Sequence, residues 1–293
     1  GKKDFNGVYL GKNNYLLEKY EKADFDSGQI KENETYLTTF LNETEKRYGR
    51  KHVRAMFVPS KTTALTNVLP AYADTIDWQS MIRDLQTKVD EPNLIYDLTK
   101  TMQSHNEEYI YYRTDHHWTT LGAYYAYTEF CKAKGITPES LDAYSKKQDF
   151  DGFLGSFYND TSDAKLKANP DTVTAYYPNA ESICHVTASD GKKYDWPVIY
   201  DVSNYNAGLK YSTFIASDNP YTEIENKDLS DGSSCIVVKE SFGNAFIPFL
   251  VDHYQTVYVV DYRYWTGSIS KLAQDKKVND VLFLNNLSMI RNK

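Results

Sequence analysis

Basic residues are in deficit: the 293 residues carry 33 Lys and Arg against 40 Asp and Glu, a net charge of −7. That balance excludes a nucleic-acid binder working through a basic face. Long apolar runs are missing as well. None approaches 18 residues and mean hydropathy is −0.61, so this stretch of sequence holds no membrane-spanning helix. Cysteine is scarce. Cys131, Cys184 and Cys235 form no CxxC pair, which argues against a zinc ribbon or dithiol redox site. Three cysteines also exclude a dense disulfide framework and leave open a single Cys184–Cys235 bridge. Internal repeats, low-complexity tracts and Pro/Gly/Ser linkers are absent, so residues 1–293 read as one domain. The chain opens Gly1-Lys2-Lys3-Asp4 without Met or a signal peptide, and reads as a trimmed chain whose targeting segment has been removed.

What the chain has is tyrosine: 26, against 4 Met and 9 Pro. Rings with a polar tip suit the faces of sugars, and they serve equally as filler in sheets. With 41% hydrophobic and 25% charged residues, the composition is that of a soluble globular protein.

Apolar periods switch repeatedly between strand and helix, which predicts an α/β fold. Gly7–Leu17 reads as a hairpin around Lys12-Asn13-Asn14. Residues 31–49 read as a helix with Leu37, Phe40, Leu41 and Tyr48 on one face, followed by a strand Val53–Val58, a helix over 78–89 and a strand Asn93–Leu98. Tyr109–Tyr112 reads as a strand running into Arg113-Thr114-Asp115-His116-His117-Trp118. Thr119 can cap a helix over 120–134 that Gly135 ends. Residues 145–230, rich in Gly, Asn and Asp turns, read as the least regular region. Cys235–Lys239 is a strand, followed by a helix to about 252, a strand Thr256–Val260, a helix 268–276 and a strand Asp280–Leu284. That alternation implies parallel pairing, with ligands bound beyond the carboxyl ends of the strands.

Two of the predicted strand ends carry candidate chemistry. On an extended strand Asp115 and His117, two apart, point to one side and His116 to the other. A carboxylate beside His117 would hold its tautomer and steady the imidazolium, as a general base requires. Adjacent His residues at a strand end can also be purely structural. Asp115, His116 and His117, with His105 and Glu107 upstream, offer metal ligands too, but no metal-binding spacing of the HExxH kind supports that use. The second end is Val237-Val238-Lys239-Glu240-Ser241-Phe242-Gly243-Asn244. A Ser between a buried strand and a helix start is placed as a nucleophile, although Ser there is commonly just an N-cap. Further polar groups sit at other ends: Arg263 and Tyr264 after Val260-Asp261-Tyr262, the amides of Asn285 and Asn286, Lys61 after Pro59-Ser60, and Trp118 beside the His pair.

The segment Arg113-Thr114-Asp115-His116-His117-Trp118-Thr119, with Gly122-Ala123 after it, resembles the signature of the DHHW protein family, which is similar to the alginate O-acetyltransferases and related SGNH-like enzymes of exopolysaccharide modification. Lys239-Glu240-Ser241-Phe242-Gly243-Asn244-Ala245-Phe246, then Pro248-Phe249-Leu250, His253-Tyr254 and Val260-Asp261-Tyr262-Arg263-Tyr264, resembles that family's Ser segment and the strand after it. Gly7–Leu17 is a third match. The resemblance implies an SGNH-like three-layer α/β/α sandwich around a mainly parallel sheet, in permuted order with Asp-x-His before Ser. It implies Ser241 as nucleophile, His117 as base and Asp115 as its orienter. Asn285, Asn286, Arg263, Tyr264, Lys61 and Trp118 are candidates for oxyanion or substrate contacts. Two features depart from the family pattern: Glu240 stands where relatives carry Asp, and Ser217-Asp218-Asn219-Pro220 replaces a more Gly-rich stretch.

The implied activity is extracytoplasmic O-acetylation of a bacterial cell-surface or secreted polysaccharide through an acyl-enzyme, with no metal, nucleotide or other cofactor and no nucleic acid. A membrane-bound O-acyltransferase would supply the acyl group, and the protein would sit at the cell surface or on a membrane anchor outside this sequence. A carbohydrate acetylesterase on the same triad differs only in whether water or sugar takes the acyl group. A non-catalytic polysaccharide-binding scaffold is the third reading; it predicts activity undisturbed by Ser241→Ala.

Overall fold

The structure, a computed structural model, describes residues 4–292 apart from Asn6. A small antiparallel sheet opens the chain: β1 (Asp4–Phe5), β2 (Val8–Leu10) and β3 (Leu16–Glu18), with a tight 3-10 turn at Lys12–Asn14. Helix α1 (Ser27–Tyr48) starts earlier than the apolar pattern predicts, because Asp26 caps the amides of Gly28 and Gln29. There follow β4 (Val53–Val58), the single turn α2 (Lys61–Ala64), α3 (Trp78–Lys88), β5 (Ile95–Asp97), α4 (Thr99–Ser104) and α5 (Thr120–Lys134). Thr119 caps α5 and Gly135 closes it in the left-handed conformation, φ 71°, as the sequence predicts.

Next come β6 (Lys147–Phe153), α6 (Ser156–Thr161), α7 (Ala164–Lys167), β7 (Asp171–Tyr176), β8 (Ser182–Thr187), β9 (Lys193–Trp196) and β10 (Tyr221–Asn226). The last elements are β11 (Ser234–Lys239), α8 (Gly243–Phe246) continuing as 3-10 turns to His253, β12 (Thr256–Asp261), α9 (Ile269–Asp275) and β13 (Asp280–Asn286).

The central sheet has eight strands in the order β5-β4-β13-β11-β12-β10-β8-β9. From β5 to β12 the strands are parallel; β10, β8 and β9 extend the sheet antiparallel. The pleat sends alternate residues to opposite faces. On β11, Cys235 and Val237 join a core with α5 and α8, while Ile236 and Val238 pack under α9. On β4, Met56 and Val58 face the first core and Ala55 and Phe57 face α1 and α3. Both faces are therefore covered, giving the expected mainly parallel three-layer α/β/α sandwich.

Two expectations fail. Residues 145–230 are not the least regular: they supply β6 through β10, including the three antiparallel strands of the central sheet. Several of their inward positions are polar, such as Asp171, Thr222 and Asn226, which blurs the strand pattern. Tyr109–Tyr112 is not a sheet strand. A bridge between Tyr111 and Trp118 closes a tight loop, with the Tyr112 amide on the His117 carbonyl at 3.2 Å and the Thr119 amide on that of Ile110 at 2.9 Å. Ile110, Tyr111 and Tyr112 are fully buried, so this apolar run marks a core-anchored loop. All three cysteines are buried free thiols, and Cys184 and Cys235 are not bridged. Among the described residues no helix is long and apolar enough to cross a membrane.

Candidate active site

The register of the parallel strands places the site. Lys239, Asp261 and Leu284 are paired across β11, β12 and β13, and Val58 of β4 pairs with Asn286. Ser60, Glu240, Ser241, Arg263 and Asn286 thus gather at one carboxyl edge, where they line a cleft of about 400 Å³.

The loop carrying Asp115 and His117 hangs over that edge, held from three sides. The buried Asp171 carboxylate accepts hydrogen bonds from the amides of Arg113 (3.0 Å) and Thr114 (2.8 Å), from Thr114 Oγ1 (2.6 Å) and from the Tyr109 hydroxyl. The Leu16 amide of β3 donates to the Arg113 carbonyl at 2.8 Å. Lys61, 0% exposed, donates from Nζ to the carbonyls of Asp115 (2.6 Å) and Leu16 (2.7 Å). Burial pulls the Lys61 ammonium down to about 8, against the pull of nearby Glu18, Asp171 and Asp115.

Within this frame Ser241 Oγ lies 2.7 Å from His117 Nε2, and His117 Nδ1 lies 2.6 Å from Asp115 Oδ1. An ionised Asp115 only accepts, so Nδ1 carries the proton and Nε2 is free to accept from the Ser241 hydroxyl. Asp115 Oδ1 also takes the His117 amide at 2.9 Å, and Oδ2 takes the Ser156 amide (2.9 Å) and hydroxyl (3.1 Å). Burial opposes ionisation of Asp115, but His117, His116 and these hydrogen bonds outweigh it and hold the carboxyl well below the usual range. The Tyr211 ring stacks on the His117 imidazole, centroids 4.0 Å apart and 12° from parallel, and its hydroxyl donates to the Ser241 carbonyl at 2.8 Å. This chain of contacts has the geometry of a nucleophile, base and orienting acid.

His116 does not point away from the pair. The loop does not alternate as a strand would: the His116 and His117 rings lie 3.8 Å apart, and His116 Nδ1 is 3.7 Å from Asp115 Oδ2 and 2.8 Å from Ser156 Oγ. Asp115, His116 and His117 each bring one possible ligand atom within 4.8 Å of the others. The donors nearest Asp115, however, are engaged in the hydrogen bonds just described. His105 and Glu107 lie outside this cluster; His105 pairs with Glu108 and stacks on Tyr125, while Glu107 accepts from Asn67.

The remaining sequence candidates divide. Asn286 and Arg263 line the cleft. Arg263 is clamped by Asp261 (2.6 and 2.9 Å) and Asp218 (3.0 Å). Asn285 is buried behind the edge, donating to the Val238 carbonyl at 3.3 Å, and does not line the cleft. Trp118 is buried too, and its indole N–H donates to the Phe242 carbonyl at 2.9 Å, steadying the turn after Ser241. Lys61 likewise positions backbone and does not reach the cleft. Tyr264, 50% exposed, sits against the Arg263 guanidinium outside the cleft wall. None of these four contacts the cleft in the way the sequence reading expects.

Glu240, 3% exposed, spans two elements. Oε1 accepts the Asn286 amide at 2.9 Å and Oε2 the Phe242 amide at 3.2 Å, 3.3 Å from Ser241 Oγ. Burial raises its carboxyl, partly offset by those amides and by His117. Beneath it, Lys239 Nζ sits 3.0 Å from both Asp218 and Asp261. Asp218 is held down to about 2: burial raises it, and Lys239 and Arg263 more than reverse that. Sequence reasoning missed Ser156, Tyr211 and Asp171. They lie in the 145–230 region, with no local pattern to mark them.

The full chain matches solved structures closely in shape. A DHHW family protein from Eubacterium siraeum superposes with a TM-score of 0.81 at 27% identity, over 99% of this chain and 94% of that one. PatB1 of Bacillus cereus gives 0.76 at 23% identity, over 98% and 97%. The O-acetyltransferase domain of Pseudomonas putida AlgJ gives 0.57 at 14% identity, over 98% and 93%. No curated protein matches by sequence. The DHHW protein family model matches residues 77–260, a span holding the whole Asp115–His117–Ser241 constellation. With well over half its length in that match, the chain belongs to the DHHW family.

Proposed function

We propose that the protein is a serine O-acyltransferase that acetylates hydroxyls of a bacterial cell-surface or secreted polysaccharide. The observation that carries this reading is the Ser241–His117–Asp115 chain, at 2.7 and 2.6 Å, with Ser241 opening into the cleft. The fold shared with the AlgJ O-acetyltransferase domain supports the choice of acyl group; the polysaccharide acceptor is what the family resemblance implies.

In the first half-reaction Ser241 Oγ attacks the donor's acetyl carbonyl while His117 Nε2 takes the hydroxyl proton. Asp115 steadies the imidazolium and keeps its tautomer. The tetrahedral intermediate collapses, the bond to the leaving oxygen breaks, and His117 returns the proton to that oxygen, leaving acetyl-Ser241. In the second half-reaction a sugar hydroxyl gives its proton to His117 and attacks the acetyl carbonyl. The Ser241–acyl bond breaks, the proton passes back to Ser241, and the O-acetyl sugar leaves. The donor acetyl is delivered by a membrane-bound O-acyltransferase, and the protein works outside the cytoplasm. Both features are what the family resemblance implies for this chain.

The test is product analysis with 4-nitrophenyl acetate as donor, with and without an oligosaccharide acceptor. Acetylated oligosaccharide from the wild type, and none from Ser241→Ala, supports the reading. Acetate alone, whatever the acceptor, makes the protein an esterase; equal products from the alanine variant remove Ser241 as nucleophile.

A further inference from the structure

A second groove, of about 370 Å³, lies beside the catalytic cleft and shares a wall with it. Asn286 and Met289 line both spaces, and Tyr262 lines the groove while its neighbour Arg263 lines the cleft. Its floor is aromatic. Tyr262 and Phe283 lie parallel, 19° apart with centroids 6.2 Å apart, and Tyr36 stands on the rim 66% exposed. Tyr262 is itself 36% exposed at the end of β12, although aromatic side chains ordinarily favour burial. Asn33 joins the wall, its side-chain N–H groups donating to the carbonyls of Ile290 (2.8 Å) and Asn292 (2.6 Å). No step of the proposed reaction uses this groove.

We propose that the groove is an acceptor subsite that holds a pyranose unit of the polysaccharide next to the one being acetylated. The inference rests on the reading of the protein as a polysaccharide O-acyltransferase and deepens it. A chain entering the cleft must leave it over one edge, and the groove continues the cleft across Asn286 and Met289. Flat apolar rings match the C–H faces of a pyranose. The apolar lining suits neither a phosphate nor a free ion. Binding energy collected here, away from the reacting hydroxyl, positions that hydroxyl at acetyl-Ser241.

The probes are cello- and chito-oligosaccharides of two to six units, with 4-nitrophenyl acetate as donor. In the wild type kcat/KM for acetyl transfer rises with acceptor length in at least one series, by about fivefold or more for a stacked ring. Tyr36→Ala/Tyr262→Ala loses that gain and Tyr262→Phe keeps it, because the ring and not the hydroxyl does the stacking. Tyr194→Ala, on the far edge strand, also keeps it. The proposal is overturned if neither series shows a length gain in the wild type, or if the double alanine variant retains the gain in full. Intact mass separates this failure from that of the activity: an acetylated wild type without a length gain removes the subsite alone. A wild type that never acetylates Ser241 removes the reaction. Calorimetric titration with cellohexaose and chitohexaose then decides the groove: binding that Tyr262→Ala abolishes supports it, and no binding overturns it.

Discussion

Replacing Gly155 by Ala should disable the site although Ser241, His117 and Asp115 are all retained. Gly155 needs no special backbone: its φ of −87° and ψ of −162° are open to any residue. What it permits is close approach. A methyl group there would overlap Asp115 Cβ and Oδ2, and would stand 2.6 Å from Asp115 Cγ, where ordinary contact begins at 3.4 Å. Asp115 cannot withdraw freely, because Lys61 Nζ pins its carbonyl at 2.6 Å. The carboxylate must therefore swing by close to an ångström, breaking its bonds to Ser156 and loosening its grip on His117 Nδ1. A misplacement of that size costs about 10²-fold in rate, and complete loss of tautomer control about 10⁴-fold. Overpacking should cost about 1–3 kcal/mol, a shift of several degrees in Tm. The assay is kcat on 4-nitrophenyl acetate beside a thermal melt. A folded Gly155→Ala protein with kcat within twofold of wild type would refute the reasoning.

Ser241→Ala should remove nearly all turnover with a small change in Tm, since a nucleophile is worth orders of magnitude in rate and a cap about 1 kcal/mol; retained activity with a lowered Tm would return Ser241 to a capping role. His117→Gln should abolish hydrolysis of an acetyl ester while His116→Gln keeps most of it, because only His117 reaches Ser241; the reverse ranking would reassign the base. Asp115 is held below its ordinary value of 3.8, so as pH falls from that value toward the folded one the unfolded chain takes up a proton that the folded chain does not. Its stabilising contribution is therefore full above that window and lost through it. Asp115→Asn should flatten the acid limb of a stability curve measured by urea unfolding; an unchanged slope would contradict the depressed carboxyl.

Ser241 and His117 are legible in the sequence as candidate nucleophile and base for different reasons. Ser241 follows a fully buried strand with an apolar centre, Cys235–Val238, and β11 through β13 carry periods that a sequence reading resolves. The Asp115–His117 spacing is visible too, but strand alternation is not what brings the pair together. A strand would have put His116 on the opposite side, whereas the loop closed by Tyr111 and Trp118 stacks the two imidazoles. What fixes that loop comes from afar: Asp171 lies 58 residues from Arg113, and Ser156 lies 41 from Asp115. Neither belongs to a local pattern, and β7 hides Asp171 by turning a carboxylate inward, where alternation would lead one to expect an apolar side chain. Lys61 and Trp118 are functional residue types at strand ends, yet their burial makes them supports for backbone around the site. The direction of α1 was clear from Leu37, Phe40 and Leu41, and its start was not, since Asp26 caps it before the apolar stripe begins.

Trapping the acyl-enzyme tests the central claim most directly. Wild-type protein and Ser241→Ala are incubated with 4-nitrophenyl acetate, quenched in acid, and analysed by intact mass and peptide mapping. The account predicts a gain of one acetyl group on wild type, located on Ser241, absent from the alanine variant and strongly reduced in His117→Gln. Acetylation found only at lysines, or equal labelling of wild type and Ser241→Ala, would contradict it.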